Sequence, residues 1–591
     1  MRKRIAAVLT ALLMLTGCGK QPAATQPETV ATAEVRPLPA IEQPAPIMPV
    51  LEGEIIDVVL NGTDVTFAEG AKGVSLSNDI IYYEDKDFYE SGNPYGDGDD
   101  GDKHTAEEAA DHIVVNITEP GNYRITGKLD LGQIRVDLGD EAYGDPNAVV
   151  NLILNNADIT CTVAPAILFL NVYECDGNWS VDTAKADVDT STAGANLILA
   201  EGSRNTVHGS YVAKIYKDKD GEKKLWKQDG AIYSYMSMNV AGTGNLDLYA
   251  ENEGLDSELH LTINGGNINI YADNDGINTN EDGVSVTTIN NGNLHIIAGL
   301  GAEGDGVDSN GYLVINGGTV VSSANPAADA GLDSDLGSFI HGGVVIALGS
   351  TMDWAESDSD QVTMNLQFSQ MQSSGSSVTV QREDGTVVFA YDPGADEVLG
   401  ERIRSYRGAV ISTPYFSVGD TYQVFIDSDI TGTETGGVYD VSTVTGRTGG
   451  VQQAYTGTDV MRGPSGFQGR PGMEMPREGN WGQGGRGPMT GAEEGKMPGW
   501  PEGEMPSMPE GGMPDWQGGE MPSMPEGGMP GWPEGEMPSM EEGEMPPGGF
   551  DGMPGNFGNG NFGNDQSGEP NTLFYMQDKV NFFSGLTAYT E

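Results

Sequence analysis

Four copies of a short phrase hold the residues of this chain best suited to chemistry. They are Gly254-Leu255-Asp256-Ser257, Gly276-Ile277-Asn278-Thr279, Gly306-Val307-Asp308-Ser309 and Gly331-Leu332-Asp333-Ser334, stepping by 22, 30 and 25 residues on the third position. Asp275 and Asp305 stand three residues upstream of that position in their copies, and Asp335 two downstream in its own. From Gln228 to Gln381 there are twenty Asp and Glu and no Lys or Arg. If successive copies stack at strand spacing, two carboxylates about 4.8 Å apart repel by roughly 1 to 3 kcal/mol. No side-chain cation in the stretch offsets this. A hard divalent cation does, because Ca²⁺ takes oxygens at about 2.4 Å and fits between such carboxylates. The candidate ligands are Asp256, Asp275, Asn278, Asp305, Asp308, Asp333 and Asp335. The competing reading is a row of solvated Asx corners whose charge serves solubility.

The elements that position these residues are short strands. Each phrase is followed by a period-2 apolar run broken by Asn-Gly-Gly or a variant, as in Leu261-Thr262-Ile263-Asn264-Gly265-Gly266-Asn267-Ile268 and Val314-Ile315-Asn316-Gly317-Gly318-Thr319-Val320. Asn and Gly tolerate the positive φ of sharp corners. Self-similarity at this period means stacked units, each unable to bury its apolar face alone. The pattern predicts a parallel β-solenoid; a meander of hairpins is the alternative. A degenerate copy, Asp229-Gly230-Ala231-Ile232-Tyr233-Ser234, stands one period earlier.

The 591 residues carry a net charge of -58, from 30 basic and 88 acidic side chains. That balance argues against direct binding to nucleic acid. Residues 1–18 form a targeting segment. Arg2-Lys3-Arg4 is its charged start, and Ile5 to Leu15 is apolar but too short to span a bilayer. Leu15-Thr16-Gly17-Cys18 resembles a bacterial lipoprotein box, so the expected mature chain is lipid-anchored through Cys18 outside the cytoplasm. Residues 19–53 read as a Pro-rich tether. From 54 to 228 short β runs alternate with turns, among them Ile55 to Leu60, Ile113 to Ile117, Val149 to Leu154 and Asn196 to Leu199. Asp97-Gly98-Asp99-Asp100-Gly101-Asp102 looks calcium-like but lacks the remaining loop ligands, and reads as an acidic surface loop. Cys161 and Cys175 leave a disulfide open.

Residues 351–459 are β-rich, with Val378 to Val380, Val387 to Ala390 and Tyr422 to Ile426, and are expected to cap the repeats. Residues 460–568 are Gly, Pro, Met, Glu and Trp, with Trp500, Trp516 and Trp532 at a 16-residue step. Such a composition cannot bury enough surface to fold alone, so a long disordered insertion is expected. Residues 569–591 read as strands returning to the folded body.

Several of these segments resemble a known bacterial family. They include Ile117-Thr118-Glu119-Pro120-Gly121-Asn122-Tyr123-Arg124-Ile125-Thr126-Gly127, Leu152-Ile153-Leu154-Asn155-Asn156-Ala157-Asp158-Ile159-Thr160, Leu199-Ala200-Glu201-Gly202-Ser203-Arg204-Asn205-Thr206 and the Gly-Leu-Asp-Ser repeats. Over residues 54–350 the chain is similar to the clostridial-type carbohydrate-binding β-solenoid lipoproteins, a domain formerly of unknown function. The resemblance implies an all-β, right-handed parallel β-helix, bound calcium, and binding of acidic polysaccharide such as polygalacturonate, with cellulose as a second candidate. Asn278 departs from the pattern, and an amide is a weaker calcium ligand than a carboxylate.

An enzyme reading on the same fold is a calcium-dependent polysaccharide lyase, which needs a base beside the cation. The repeats offer only His260, His295 and His341, with Lys223, Lys224 and Lys227 at their border. The expected function is therefore non-catalytic, surface-anchored carbohydrate binding. A structural adhesin or spacer is a further alternative.

Overall fold

The structure, a computed structural model, describes residues 38, 48–49, 51–84, 95–216, 224–350, 353–395, 405–460 and 570–590. Cys18, the tether and the 460–568 insertion lie outside this set, apart from residues 38, 48–49, 51–53 and 460.

Strands dominate, as the alternating runs predict. The one described α-helix, Ala106–Ala110, is closed at its start by a Thr105–Glu108 capping box. In the repeat region each unit supplies three short strands, except the last, from Gly331, which supplies two, and each strand pairs in parallel with its counterpart one unit away. One ladder runs Gly230–Ser234, Glu253–Ser257, Ile277–Thr279 and Val307–Ser309. A second runs Met238–Gly242, Leu261–Ile263, Val286–Ile289, Tyr312–Ile315 and Gly337–Ile340. The third runs Asn245–Ala250, Asn267–Ala272, Asn293–Ile297, Thr319–Ser323 and Val344–Gly349. Leu261–Ile263 does not pair with Asn267–Ala272 across the Asn264-Gly265-Gly266 corner. The hairpin alternative is thereby set aside: Asn-Gly-Gly turns the chain from one ladder to the next. The sheets as wholes are mixed, because antiparallel strands join the parallel ladders at both ends.

Alternation of side chains explains the core. Leu255, Ile277 and Val307 stack as one buried column, Ile263, Ile289 and Ile315 as another, and Ile268, Leu294 and Val320 as a third. Each such side chain contributes about 1.5 to 3 kcal/mol when fully buried. The glycine of each phrase is a steric requirement rather than a turn. A Cβ on Gly276 would lie 2.2 Å from Ile296 Cγ2, and one on Gly306 1.8 Å from Ser322 Oγ.

Tyr406–Ser412 runs antiparallel to Val344–Gly349, the last strand of the third ladder. Beyond it, Val378–Arg382, Val387–Tyr391, Thr421–Thr431 and Gly446–Ala454 form an antiparallel array. Its core, with Phe389, Tyr422, Phe574 and Phe583, is continuous with Val321, Ile346 and Leu348 on the repeats. Val580–Ala588 lies parallel to Thr363–Gln372.

Candidate functional site

Register places the phrase residues in two columns. Asp256, Asn278 and Asp308 face one another across successive strands. Asp333 follows, since its N–H bonds to the Val307 carbonyl and its own carbonyl accepts from Ser309 N–H. Three residues upstream, a parallel column holds Glu253, Asp275 and Asp305: Gly254 N–H donates to the Asp275 carbonyl, and Gly276 N–H to that of Asp305. Ala330 takes the fourth place, where Gly306 N–H donates to its carbonyl. In the degenerate copy Tyr233 occupies the rung before Asp256.

Burial falls along the columns. Asp256 is 0% exposed and Asp275 8%, while Asp305, Asp308 and Asp333 are half-buried and Asp335 is exposed. At the buried end Asp229, Glu253 and Asp256 bring one carboxylate oxygen each within 4.8 Å of one another. Among the described residues this is the one group of three His, Cys, Asp or Glu ligands held so close. Asp256 has one oxygen held by Asn280 Nδ2, and Glu253 one oxygen held by Asn278 Nδ2 at 3.0 Å. The other oxygens, Asp256 Oδ2 and Glu253 Oε2, are buried with no hydrogen-bond donor, and Asn278 Oδ1 is likewise unpartnered. Ionised, these groups are unsatisfied, so a proton shared between the two acids, or a cation, must compensate them.

The titration behaviour has that cause. Burial, then the charge of Glu253, pushes Asp256 well above the usual carboxylate range. Burial, then Glu253, Asp308 and Asp305, does the same to Asp275. Burial, then Asp333 and Asp305, raises Asp308. Asp305 is pushed up to about 7 by burial, although the Ala330 N–H it accepts works the other way. Burial raises Asp333 too. Asp353, whose carboxylate accepts from Ser334 Oγ at 3.1 Å, is pushed up to about 7 by burial and then by Asp333.

A cation does reach this face from just outside the repeats. Lys227 Nζ lies 2.7 Å from Asp229 Oδ2 and donates to Asn280 Oδ1 at 2.6 Å. Burial opposes its charge, but Asp229, Glu253, Glu258 and Asp256 outweigh that and raise its pKa. Lys224 Nζ donates to Glu258 Oε1 at 3.0 Å. Glu258 is thereby held down to about 2, burial opposing and Lys224 and Lys227 prevailing. The stretch from Gln228 to Gln381 has no Lys or Arg of its own, but two of the lysines at its border do reach in: the strand Lys224–Gln228 lays the ammonium groups of Lys224 and Lys227 against the buried end of the acid face.

The histidines serve neighbouring contacts. His341 continues the corner column of Asn264, Asn290 and Asn316, with Nδ1 2.9 Å from Asp360. His260 Nε2 lies 3.4 Å from Asp176. Cys161 and Cys175 are free thiols, which settles the open disulfide question for this structure. In the 97–102 loop Asp102 accepts from Tyr211 OH at 2.6 Å and Asp100 pairs with Lys103 at 2.8 Å.

Glu253, Asp229 and Asp353 were not singled out in the sequence. Glu253-Gly254-Leu255-Asp256 follows the same acid-Gly-apolar pattern as Asp275-Gly276-Ile277 and Asp305-Gly306-Val307, and the change from Asp to Glu hid it.

Residues 111–393 match a family described as "Carbohydrate-binding domain-containing protein". Both acidic columns lie inside that match. Among solved structures, a polysaccharide lyase-like protein from C. thermocellum, a gadolinium derivative, aligns at 20% identity and a TM-score of 0.31. The alignment covers 51% of this chain and 93% of that one. No curated protein matches the chain.

Proposed function

We propose that this chain is a non-catalytic, surface-anchored carbohydrate-binding protein whose acidic face takes acidic polysaccharide, such as polygalacturonate, together with calcium. The observation that carries the reading is the pair of buried, donor-less oxygens on Glu253 and Asp256 beside Asp229. Hard oxygen donors of this kind fit Ca²⁺, and Asp229, Glu253, Asp256 and the Asn278 carbonyl oxygen would hold it. Further along, Asp275, Asp305, Asp308, Asp333 and Asp335 present carboxylates that are increasingly open to solvent. Calcium, with 6 to 8 oxygen ligands (about that range for this ion), would link such a face to the carboxylates of an anionic polymer. The chain's own residues set the register: the column glycines let strands pack closely, and the column acids repeat at each unit.

The family description of residues 111–393 supports sugar binding. The stacked parallel ladders support a parallel β-solenoid as the architecture of the repeats; Cys18, at the end of Leu15-Thr16-Gly17-Cys18, is the proposed lipid anchor. A lyase would need a basic side chain free to accept a proton. Lys227 is 7% exposed, bonded to Asp229 and Asn280, and held charged by the acids around it. It serves as a fixed counter-charge, which favours binding over elimination.

The test is binding of residues 51–591 to immobilised polygalacturonate, with calcium and with EDTA, while unsaturated product is followed by its absorbance. Calcium-dependent retention without product is expected. Retention unchanged by EDTA in a folded protein would remove calcium from the reading, and product formation would make the chain a lyase.

A further inference from the structure

Lys227 and Asn280 meet end to end at the buried edge of the acid face. Lys227 Nζ lies 2.6 Å from Asn280 Oδ1, and the two residues are 7% and 8% exposed. A C=O bond is about 1.23 Å long, so Nζ stands no further than about 3.8 Å from the amide carbon Cγ. That is close to the separation of about 3 to 3.5 Å at which bound groups react. A lysine nitrogen held against an amide carbon is a nucleophile facing an electrophile.

Both partners are fixed from behind. The lysine's strand, Lys224–Gln228, pairs with Val212–Tyr216 on either side of it, through Ile215 with Trp226 and Val212 with Gln228. Tyr235 OH donates to the Lys227 carbonyl at 3.1 Å. Asn280 N–H donates to the Ser257 carbonyl at 3.0 Å, and the Asn280 carbonyl accepts from Asn310 Nδ2 at 2.8 Å. Asn280 Nδ2 donates to Asp256 Oδ1, which turns the amide so that its oxygen meets the lysine. On the lysine itself, Asp229 Oδ2 lies 2.7 Å from Nζ, where a proton acceptor must stand to free the amine.

We propose that Lys227 and Asn280 join in an intramolecular isopeptide bond once the chain has folded. Asp229 takes a proton from the ammonium, and the amine attacks Asn280 Cγ. The bond from Cγ to Nδ2 breaks as the bond from Cγ to Nζ is kept. Two protons leave Nζ and pass through Asp229 to the departing nitrogen. The ammonium of Lys227 and the amide of Asn280 thus become one secondary amide and one ammonium ion, with charge and atoms balanced and no oxidant or reductant needed. The acids around Lys227 keep its proton in place at rest, so the reaction is slow and happens once per chain.

The bond ties the strand Lys224–Gln228 to the end of the rung Ile277–Thr279 across 53 residues. It restrains the unfolded chain as a disulfide does, a restraint that the free thiols Cys161 and Cys175 do not supply. Neither Lys227 nor Asn280 is a proposed calcium ligand, so the bond stands or falls apart from the calcium reading.

The test is peptide mass spectrometry of the full chain, folded in EDTA and held at neutral pH until its mass is constant. A cross-linked fragment containing Lys227 and Asn280 is expected, lighter than its two peptides together by about 17 Da, the mass of ammonia. Trypsin should fail to cut after Lys227 in that product. Asn280→Asp should lose about 18 Da instead, because water leaves in place of ammonia. Lys227→Arg keeps the cation but should lose neither, and should stay open to trypsin at that position. An uncrosslinked Lys227 in native chain whose circular dichroism shows it folded overturns the proposal. So does a loss of ammonia that survives in Lys227→Arg, which would be a succinimide at an Asn-Gly step.

Discussion

Lys227 Nζ and Asp229 Oδ2 lie 2.7 Å apart, with Lys227 buried and Asp229 half-buried, at the edge of a face that is otherwise all acid. Asp229 is also one of the three residues able to close on a metal. The ammonium and a divalent ion therefore share one carboxylate. Removing the lysine leaves Asp229 and Glu253 without their nearest counter-charge, and breaking a buried pair in this way costs about 3 to 5 kcal/mol. Lys227→Met should lower the melting temperature of the metal-free chain, and calcium should restore more of it than in the native protein. Thermal melts with EDTA and with calcium check this. An equal deficit in both conditions would sink the idea that lysine and metal serve the same acids.

Asp256→Asn separates the stability of the site from its function. The amide keeps the shape of Asp256 but removes one of two acids that must share a proton or a cation. The metal-free variant should melt at the native temperature or above it, since a buried repulsion is relieved. Its calcium affinity should fall by at least about tenfold, the smaller end of what losing a supporting metal contact does. Calcium titration by calorimetry reads both the affinity and the number of ions. Native affinity in Asp256→Asn would move the metal away from the buried end.

The register of the acid columns was legible because Gly-apolar-Asp recurs with apolar runs of matching phase. A slip of one residue would turn Asp256 inward and Leu255 outward, so the pattern admits one alignment. The buried end was legible only in part. Lys224 and Lys227 stood out at the border of the repeats, but Asp229 sits in a copy whose rung position is Tyr233, so its carboxylate was not matched to the others. Local periodicity reports stacking; it does not report which distant segment covers a given face.

The phrase glycines carry a prediction of their own. A methyl at Gly306 would meet Ser322 Oγ at 1.8 Å and the Gly331 carbonyl oxygen at 2.5 Å. Overpacking of this kind costs typically about 1 to 3 kcal/mol. Gly306→Ala should be destabilised by that amount in urea denaturation. Gly101→Ala, where a Cβ meets nothing within 4 Å, should stay within about 0.5 kcal/mol of native. Equal stability of the two variants would mean that the strands tolerate side chains at the phrase glycine, and the close packing argued for the columns would fail.

Stability should respond to pH in opposite senses on two sides of a maximum. Asp305 and Asp353 are pushed up to about 7 from the ordinary 3.8, mainly by burial. Between those values the folded metal-free chain binds more protons than the unfolded chain, so stability falls as pH rises. Glu258 is held down to about 2 from 4.5 by Lys224 and Lys227 against burial, so its contribution is lost as pH falls below about 4.5. The metal-free melting temperature should therefore peak near pH 4 (roughly where the two windows overlap) and decline towards pH 8. Calcium needs ionised ligands and displaces protons, so its stabilising shift should be small at about pH 5, well below the raised acids, and large at about pH 7.5, above them. Scanning calorimetry across that range with EDTA and with calcium decides it. A metal-free melting temperature that climbs from pH 5 to 7, or a calcium shift independent of pH, would show that the buried acids do not govern the site.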